Sequence, residues 1–195
     1  MKFPSPLLCF AAIALSSCSE RPAVEASYHV IPLPQKVALD SAEKAFKLNP
    51  RTRIVATDSA QQINAQLFAE YISSLTGFTP KIVSNTPASD YIHLTTDPAE
   101  SADAYTINVT ADSVVVSGGS ASGTFYGLQT LRKAIPGKAE ADVLYPAGKI
   151  SDVPRFAYRG AHFDTSRHFF SPDSVKIFID MLALHNMNRF HWHLT

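Results

Sequence analysis

Cysteine is nearly absent. The chain has 195 residues and two thiols, Cys9 and Cys18, both among its first eighteen positions. Nothing after residue 18 can form an internal disulfide, so the folded part must rest on a packed core. Charge of one sign is not in excess either, since 17 lysines and arginines balance 17 aspartates and glutamates. That balance removes the basic footprint that nucleic acid or an anionic surface would select, and no nucleic-acid partner is expected. Long apolar runs are missing, and the one at 7–15 is too short to stay in a bilayer as a spanning helix. Phosphate-binding signatures are missing as well. Gly118-Gly119-Ser120-Ala121-Ser122-Gly123 lacks the lysine of a P-loop and the spacing of a dinucleotide fingerprint, so it reads as a sheet-to-helix turn. Thirteen prolines against eight glycines indicate stiff turns rather than flexible linkers.

What is there begins with an export signal. Lys2, the apolar stretch 7–15 and Leu15-Ser16-Ser17-Cys18 follow one another in the order such signals require. Apolar, small, small, cysteine resembles the bacterial lipoprotein signal, in which the cysteine is acylated and becomes the mature N-terminus. The resemblance implies a signal over 1–18 with Cys18 as the lipidation site, and a protein exported and anchored in the bacterial envelope. Cys9 would leave with the signal. Several acyl chains hold a protein firmly, because each buried methylene contributes about 0.8 kcal/mol. The polar residues 19–27 read as a tether.

A first domain is expected over 28–150. Ile31-Pro32-Leu33-Pro34 is an extended lead-in, since a residue before proline is pushed out of the helical region. A strand over 52–57 precedes a helix over 59–75. Its apolar stripe is Ile63, Leu67, Tyr71 and Leu75, widened by Phe68 and Ile72. Gly77 ends that helix and Pro80 keeps it from resuming. Short strands follow at 81–83 and 91–94. A hairpin joins 105–109 to 113–117 through Ala111-Asp112. A second helix over 122–133 turns Phe125, Leu128 and Leu131 inward, and residues 137–148 form an exit. The pattern predicts an α+β domain with helices on a mostly antiparallel sheet. His93, between Ile92 and Leu94, reads as a solvent-side strand residue, and no catalytic constellation stands out.

From 154 onward the pattern changes to strand, helix, strand. Strands are expected at 158–165 and 189–195. Between them a helix starts at Pro172 behind the N-cap Ser171 and runs to about Asn186, with Val175, Phe178, Ile179 and Leu182 as its stripe. A parallel pair needs such a crossover. A strand-helix-strand unit with polar residues at both strand ends is how a (β/α)8 TIM barrel opens, and active sites lie at those carboxyl ends. Arg167 and His168 follow the first strand, and His191 and His193 end the second.

Phe156-Ala157-Tyr158-Arg159-Gly160, Asp164-Thr165-Ser166-Arg167-His168 and Asn188-Arg189-Phe190-His191-Trp192-His193-Leu194 together resemble the opening of the catalytic barrel of glycoside hydrolase family twenty, the β-N-acetylhexosaminidases. Gly123-Thr124-Phe125-Tyr126-Gly127-Leu128-Gln129-Thr130-Leu131 is similar to the last helix of that family's N-terminal domain, and Ile31–Pro34 to its start. The resemblance implies an exo-acting glycosidase that removes terminal N-acetylhexosamine from β-linked glycans. It implies substrate-assisted retention, in which the sugar's own 2-acetamido carbonyl attacks the anomeric carbon, a known exception to the two-carboxylate scheme. Arg167 then binds sugar hydroxyls. His193 and Asp164 are further substrate-site candidates, with a turn or cap role as the alternative for Asp164. The family's glutamic acid and its orienting aspartate are expected beyond Thr195. No catalytic residue is therefore assigned within this chain, which reads as a truncated fragment: signal, accessory domain and the first βαβ unit of the barrel at 154–195. The reading needs no cofactor.

Two other functions compete. His191 and His193 share a strand face and, with His162, Asp164 or His168, could ligate a metal in a metal-dependent TIM-barrel hydrolase. Otherwise no metal is assigned, and His191 is a core histidine. Trp192 points opposite to both histidines, so packing rather than sugar stacking is expected of it. The other competitor is a lipid-anchored, non-catalytic glycan-binding module. The anchor is testable by itself. Cys18→Ala should release the protein from membranes or block its processing, and unchanged partitioning into detergent would remove the lipoprotein reading.

Overall fold

A computed structural model describes residues 21–195. The signal with Cys18, and residues 19 and 20 of the expected tether, lie outside the described residues. In chain order the strands are β1 (Ala23–Glu25), β2 (Lys36–Leu39), β3 (Phe46–Leu48), β4 (Arg53–Val55), β5 (Lys81–Val83), β6 (Tyr91–Thr96), β7 (Tyr105–Val109), β8 (Ser113–Gly118), β9 (Asp142–Tyr145), β10 (Gly148–Asp152), β11 (Gly160–Asp164) and β12 (Arg189–His193). The helices are α1 (Ser59–Thr76), α2 (Ala121–Ala134) and α3 (Pro172–Leu184).

Seven strands form one sheet in the order β2-β10-β7-β8-β6-β4-β5. The half from β2 to β8 is antiparallel, as the hairpin through residues 110–112 requires. The half from β8 to β5 is parallel. The sheet is therefore mixed rather than mostly antiparallel. The reason is α1, a crossover helix between β4 and β5 that returns the chain in the direction it left.

The tether is a correction too. Residues 23–25 form β1, which pairs in parallel with β9, and β9 pairs with β3 in a second, three-stranded sheet. An edge strand needs only its backbone groups to join, so a polar composition does not forbid it. The exit segment also proves to be structure. Val143 and Tyr145 of β9 and Ile150 of β10 are fully buried, and the Tyr145 hydroxyl donates to Leu131 O at 3.0 Å. Strands this short, broken by Pro146, leave no periodicity to read.

Helix α1 begins at Asp58, whose Oδ1 accepts from Gln61 N at 2.8 Å, and ends at Gly77 with φ 78°. Its buried face is centred on Phe68 and Ile72, while Ile63 is 60 % exposed. The place expected for Ile63 is taken by buried amides. Gln61 Nε2 donates to Thr96 Oγ1 (2.9 Å) and Thr124 Oγ1 (3.0 Å), and Asn64 Nδ2 donates to Ala121 O (2.9 Å). Buried amides are tolerable where every donor is met, and apolar periodicity cannot reveal them. In α2, Leu128 and Leu131 are buried as expected and Phe125 is half-buried. The glycine run before α2 is a close backbone crossing: a Cβ on Gly119 would lie 1.9 Å from Ser101 O.

The last 40 residues form the β11–α3–β12 unit, with the two strands parallel and Gly160 opposite Arg189. Ser171 Oγ accepts from Ser174 N, and Pro172 opens α3 as anticipated. The helix stops at Leu184, because Asn186 turns left-handed at φ 56°. Val175 and Leu182 are buried and the Phe178 ring stacks on Phe163 at 4.4 Å, but Ile179 is 45 % exposed, alongside Ile177 and Met181. A parallel sheet requires cover on both faces, and α3 covers one. In the 195-residue chain, amides of β11 and β12 should therefore exchange with solvent about a hundredfold or more faster than those of β6–β8. Uniformly slow exchange across 190–194 in a monomer would contradict this.

Candidate active site

Parallel register sets the site. His162 lies opposite His191, and Asp164 opposite His193. Side chains alternate along a strand, so these four share one face. Phe163, Phe190 and Trp192 share the other, against Phe178 of α3. Trp192 stacks on Phe190, and its Nε1 donates to Thr165 Oγ1 at 3.0 Å. Thr165 in turn donates N and Oγ1 to His193 O, both at 3.0 Å, which closes the carboxyl ends of the two strands. Packing and hydrogen bonding thus occupy Trp192, as its position on the strand implied.

Asp164 is the centre of the exposed face. Its Oδ1 accepts from Ser166 N (3.0 Å) and Arg167 N (3.2 Å), and Oδ2 accepts from Arg167 Nη1 (2.8 Å). The residue is at once a turn former and an ion-pair partner. His193 Nδ1 lies 3.2 Å from Asp164 Oδ1, without the alignment of a hydrogen bond. Desolvation pushes the Asp164 carboxyl up. The backbone N–H groups of Arg167 and Ser166, and then the charges of Arg167 and His193, outweigh it and hold the carboxyl below its ordinary value.

Arg167 is 77 % exposed, and Asp164 is its one side-chain partner among the described residues. The guanidinium is restrained at one edge, and its other donors have no protein partner among the described residues. A planar donor fork held this way suits two neighbouring hydroxyls. His168 is exposed in the same loop. The rings of His162 and His191 lie 4.7 Å apart, and those of His162 and His193 5.7 Å. Even so, no group of three or more His, Cys, Asp or Glu among the described residues is arranged to hold a metal ion. Among the described residues, too, no helix is long and apolar enough to cross a membrane.

One set of residues escaped the sequence reading as a unit. Asp103, Arg159 and Asn188 join in a half-buried cluster at the opposite, amino-terminal end of the strand pair. Arg159 and Asn188 fall inside the quoted motifs, but Asp103 sits in a polar loop that gave no signal.

Two family profiles match the chain: "Glycosyl hydrolase family 20, domain 2" over residues 27–153, and "Glycosyl hydrolase family 20, catalytic domain" over residues 156–195. A β-hexosaminidase of Porphyromonas gingivalis is 30 % identical over 198 residues, covering 94 % of this chain and 25 % of the relative. The Cellulomonas fimi β-N-acetylhexosaminidase is 30 % identical over 84 % of this chain and 34 % of its own length. Among solved structures, the family 20 β-N-acetylhexosaminidase of Streptomyces coelicolor superposes with a TM-score of 0.77 at 30 % identity, covering 88 % of this chain and 36 % of that one. A mutant Streptomyces plicatus β-hexosaminidase in complex with its product GlcNAc gives 0.73 at 29 %, covering 85 % and 34 %. The chain therefore spans about a quarter to a third of these relatives. The profile over 27–153 alone covers more than half of the chain, and with the folded likeness it shows that this chain belongs to glycosyl hydrolase family 20.

Proposed function

We propose that this chain supplies the accessory domain and the first βαβ unit of an exo-acting β-N-acetylhexosaminidase, which hydrolyses terminal N-acetyl-D-hexosamine from β-linked glycans. Family membership supports the reading, as do relatives named β-hexosaminidase and a relative's structure with GlcNAc bound. The observation that carries it is the Asp164–Arg167 pair at the carboxyl end of β11, with an exposed donor fork beside His193. In this reading Arg167 grips two hydroxyls of the terminal sugar, Asp164 keeps the guanidinium in plane, and His193 borders the same pocket. Substrate-assisted retention then needs two further groups. One is a carboxylic acid within hydrogen-bond reach of the leaving oxygen, and the other is an aspartate that orients the acetamido group and faces the developing positive charge. The 195 residues contain no adjacent Asp-Glu pair, the form in which the family carries these groups. The proposal assigns both to the remainder of the barrel. It also places the protein in the bacterial envelope, held by lipid on Cys18, on the support of Leu15-Ser16-Ser17-Cys18.

The 195-residue chain should not hydrolyse an aryl N-acetyl-β-glucosaminide, and supplying the rest of the barrel should give turnover without added metal. In the completed enzyme, Arg167→Lys replaces a fork by a point charge. A lost charged hydrogen bond costs about 1.5–3 kcal/mol, so kcat/KM should fall about tenfold or more. Activity lost to a chelator and restored by zinc would move the assignment to His191 and His193. Binding of N-acetylglucosamine without turnover in the completed protein would favour the non-catalytic module.

A second expectation concerns pH. The folded-state value of Asp164 is lowered, so the order it gives the loop is fully present above the ordinary carboxylate value of about 3.9. That order is lost as pH falls through the lowered folded value. Carbon NMR of the Asp164 carboxyl should show this low midpoint, and Arg167→Gln should raise it. An unchanged midpoint would mean that the pair seen in the structure does not persist in solution.

A further inference from the structure

The seam between the accessory domain and the strand pair is built around one arginine. Arg159 immediately precedes β11, and its side chain is 16 % exposed. All three guanidinium nitrogens are engaged: Nε donates to Asn186 O (2.7 Å), Nη1 to Phe156 O (2.8 Å) and Nη2 to Asp103 Oδ2 (2.9 Å). The group also lies over the Tyr126 ring of α2, 5.1 Å from its centroid. Asn188 closes the cluster, with Nδ2 donating to Ala157 O (2.9 Å) and, more weakly, to the same Asp103 oxygen (3.4 Å). The backbone of Arg159 is held as firmly. Its N donates to Asn188 Oδ1 (3.0 Å), and its O accepts from Asn188 N (2.8 Å) and Arg189 N (3.1 Å).

We propose that Arg159 is a positioning residue that, through Asp103, couples the accessory domain to the register of β11 and β12 and so sets where Asp164, Arg167 and His193 stand. The bearing on catalysis rests on the function proposed above; the coupling itself does not. A strand rises about 3.3 Å per residue, so fixing the start of β11 fixes the height of Asp164 at its far end. A slip of one residue would turn His191 and His193 to the opposite face, away from His162 and Asp164. Arg159 O, which accepts from Asn188 just before β12 and from Arg189 at its start, opposes that slip. Asp103 belongs to the loop between β6 and β7, so the restraint originates in the other domain. Half-buried and charge-assisted, the pair lies outside the class of exposed ion pairs that contribute little. Lysine cannot replace Arg159, because three acceptors in a fan around a ring face need a planar group.

Trp192 is the sole tryptophan, and it reports on the strand pair alone. The test uses the 195-residue chain in urea, read by Trp192 fluorescence and by amide exchange in α1. Asp103→Asn alters only the accessory domain's side of the seam. It should lower the folded-to-open ratio reported by Trp192 about tenfold, with exchange in α1 changed less than about twofold. In native buffer the indole N–H resonance of Trp192 should shift, because its bond to Thr165 depends on the register. Arg159→Lys should not rescue the arrangement. Adding Asp103→Asn to Arg159→Gln should cause little further loss, since the pair acts as a unit. If Arg159→Gln fails to fold, the near-isosteric Asp103→Asn still decides the question. A Trp192 transition and resonance unchanged in Asp103→Asn would overturn the proposal. So would a parallel loss of protection in α1, which would reduce Asp103 to a stabiliser of its own domain. An inactive completed enzyme with normal coupling would count against the proposed function and leave this inference standing.

Discussion

A parallel strand pair has no hairpin to fix its register, and the site here depends on that register being right. The antiparallel half of the large sheet is pinned by a tight turn at residues 110–112, so β7 and β8 have little freedom to slide. β11 and β12 are joined by a 13-residue helix and its loops, which tolerate a slip. Their alignment draws on contacts at the two ends as well as on the face packed against α3. Thr165 supplies them at the carboxyl end, through two bonds to His193 O, and Arg159 at the amino end. Between these ends the face with Phe163, Phe178 and Phe190 gives apolar cohesion and opposes a one-residue slip, which would turn Phe190 away from α3.

The same constraint explains why the last 40 residues look different from the rest. In the accessory domain, α1 and α2 lie against a sheet whose inward residues Ile92, Leu94, Val114 and Val116 are essentially inaccessible. Polar groups inside that core are mostly paired, as Gln61 and Asn64 show. Lys133 is an exception. Its Nζ is buried without a partner, and desolvation lowers its pKa to about 8, against the opposing pull of Asp152. Such a group weakens a domain, and its retention is affordable only where hydrophobic burial is ample. The β11–α3–β12 unit has no such surplus, with Ile177, Met181 and Phe169 facing solvent.

How much of this was legible in the sequence follows from what kind of signal each part leaves. α1, α2 and α3 were legible because caps and periodicity are local: Gly77, Ser171 and Pro172 stand where the helix ends require them. The β7–β8 hairpin was legible for the same reason. β1, β2, β3, β9 and β10 were not, because they are short and lie in polar or proline-flanked stretches with no helix or hairpin beside them to mark their ends, whereas the equally short β4 and β5 flank α1. The inward face of α1 was misplaced towards Ile63 because hydrogen-bonded amides bury as well as isoleucine does. In the site, the shared face of His191 and His193 could be read from strand alternation, but that His162 and Asp164 lie on it too depends on the register between the strands. The link from Asp103 to Arg159 spans 56 residues and two domains, and no local rule reaches that far.

Arg159 and Arg167 show what separates a structural arginine from one available to a ligand. They are eight residues apart, at opposite ends of the same five-residue strand, and each meets an aspartate at 2.8 to 2.9 Å. Pairing distance alone cannot tell them apart. Arg159 is 16 % exposed and each of its guanidinium nitrogens already donates to a protein acceptor, two carbonyls and a carboxylate, which leaves little of the group accessible to a substrate. Arg167 is 77 % exposed and uses one direction on Asp164. A ligand hydroxyl can compete with water for the remaining donors of Arg167, but at Arg159 it would have to displace protein acceptors already in place. The division follows from where each sits. The amino-terminal end of the strand pair faces the accessory domain, which provides the Asp103 carboxylate, while the carboxyl-terminal end is open. A parallel pair presents every strand's last residue at one end, so a site there draws on several strands at once.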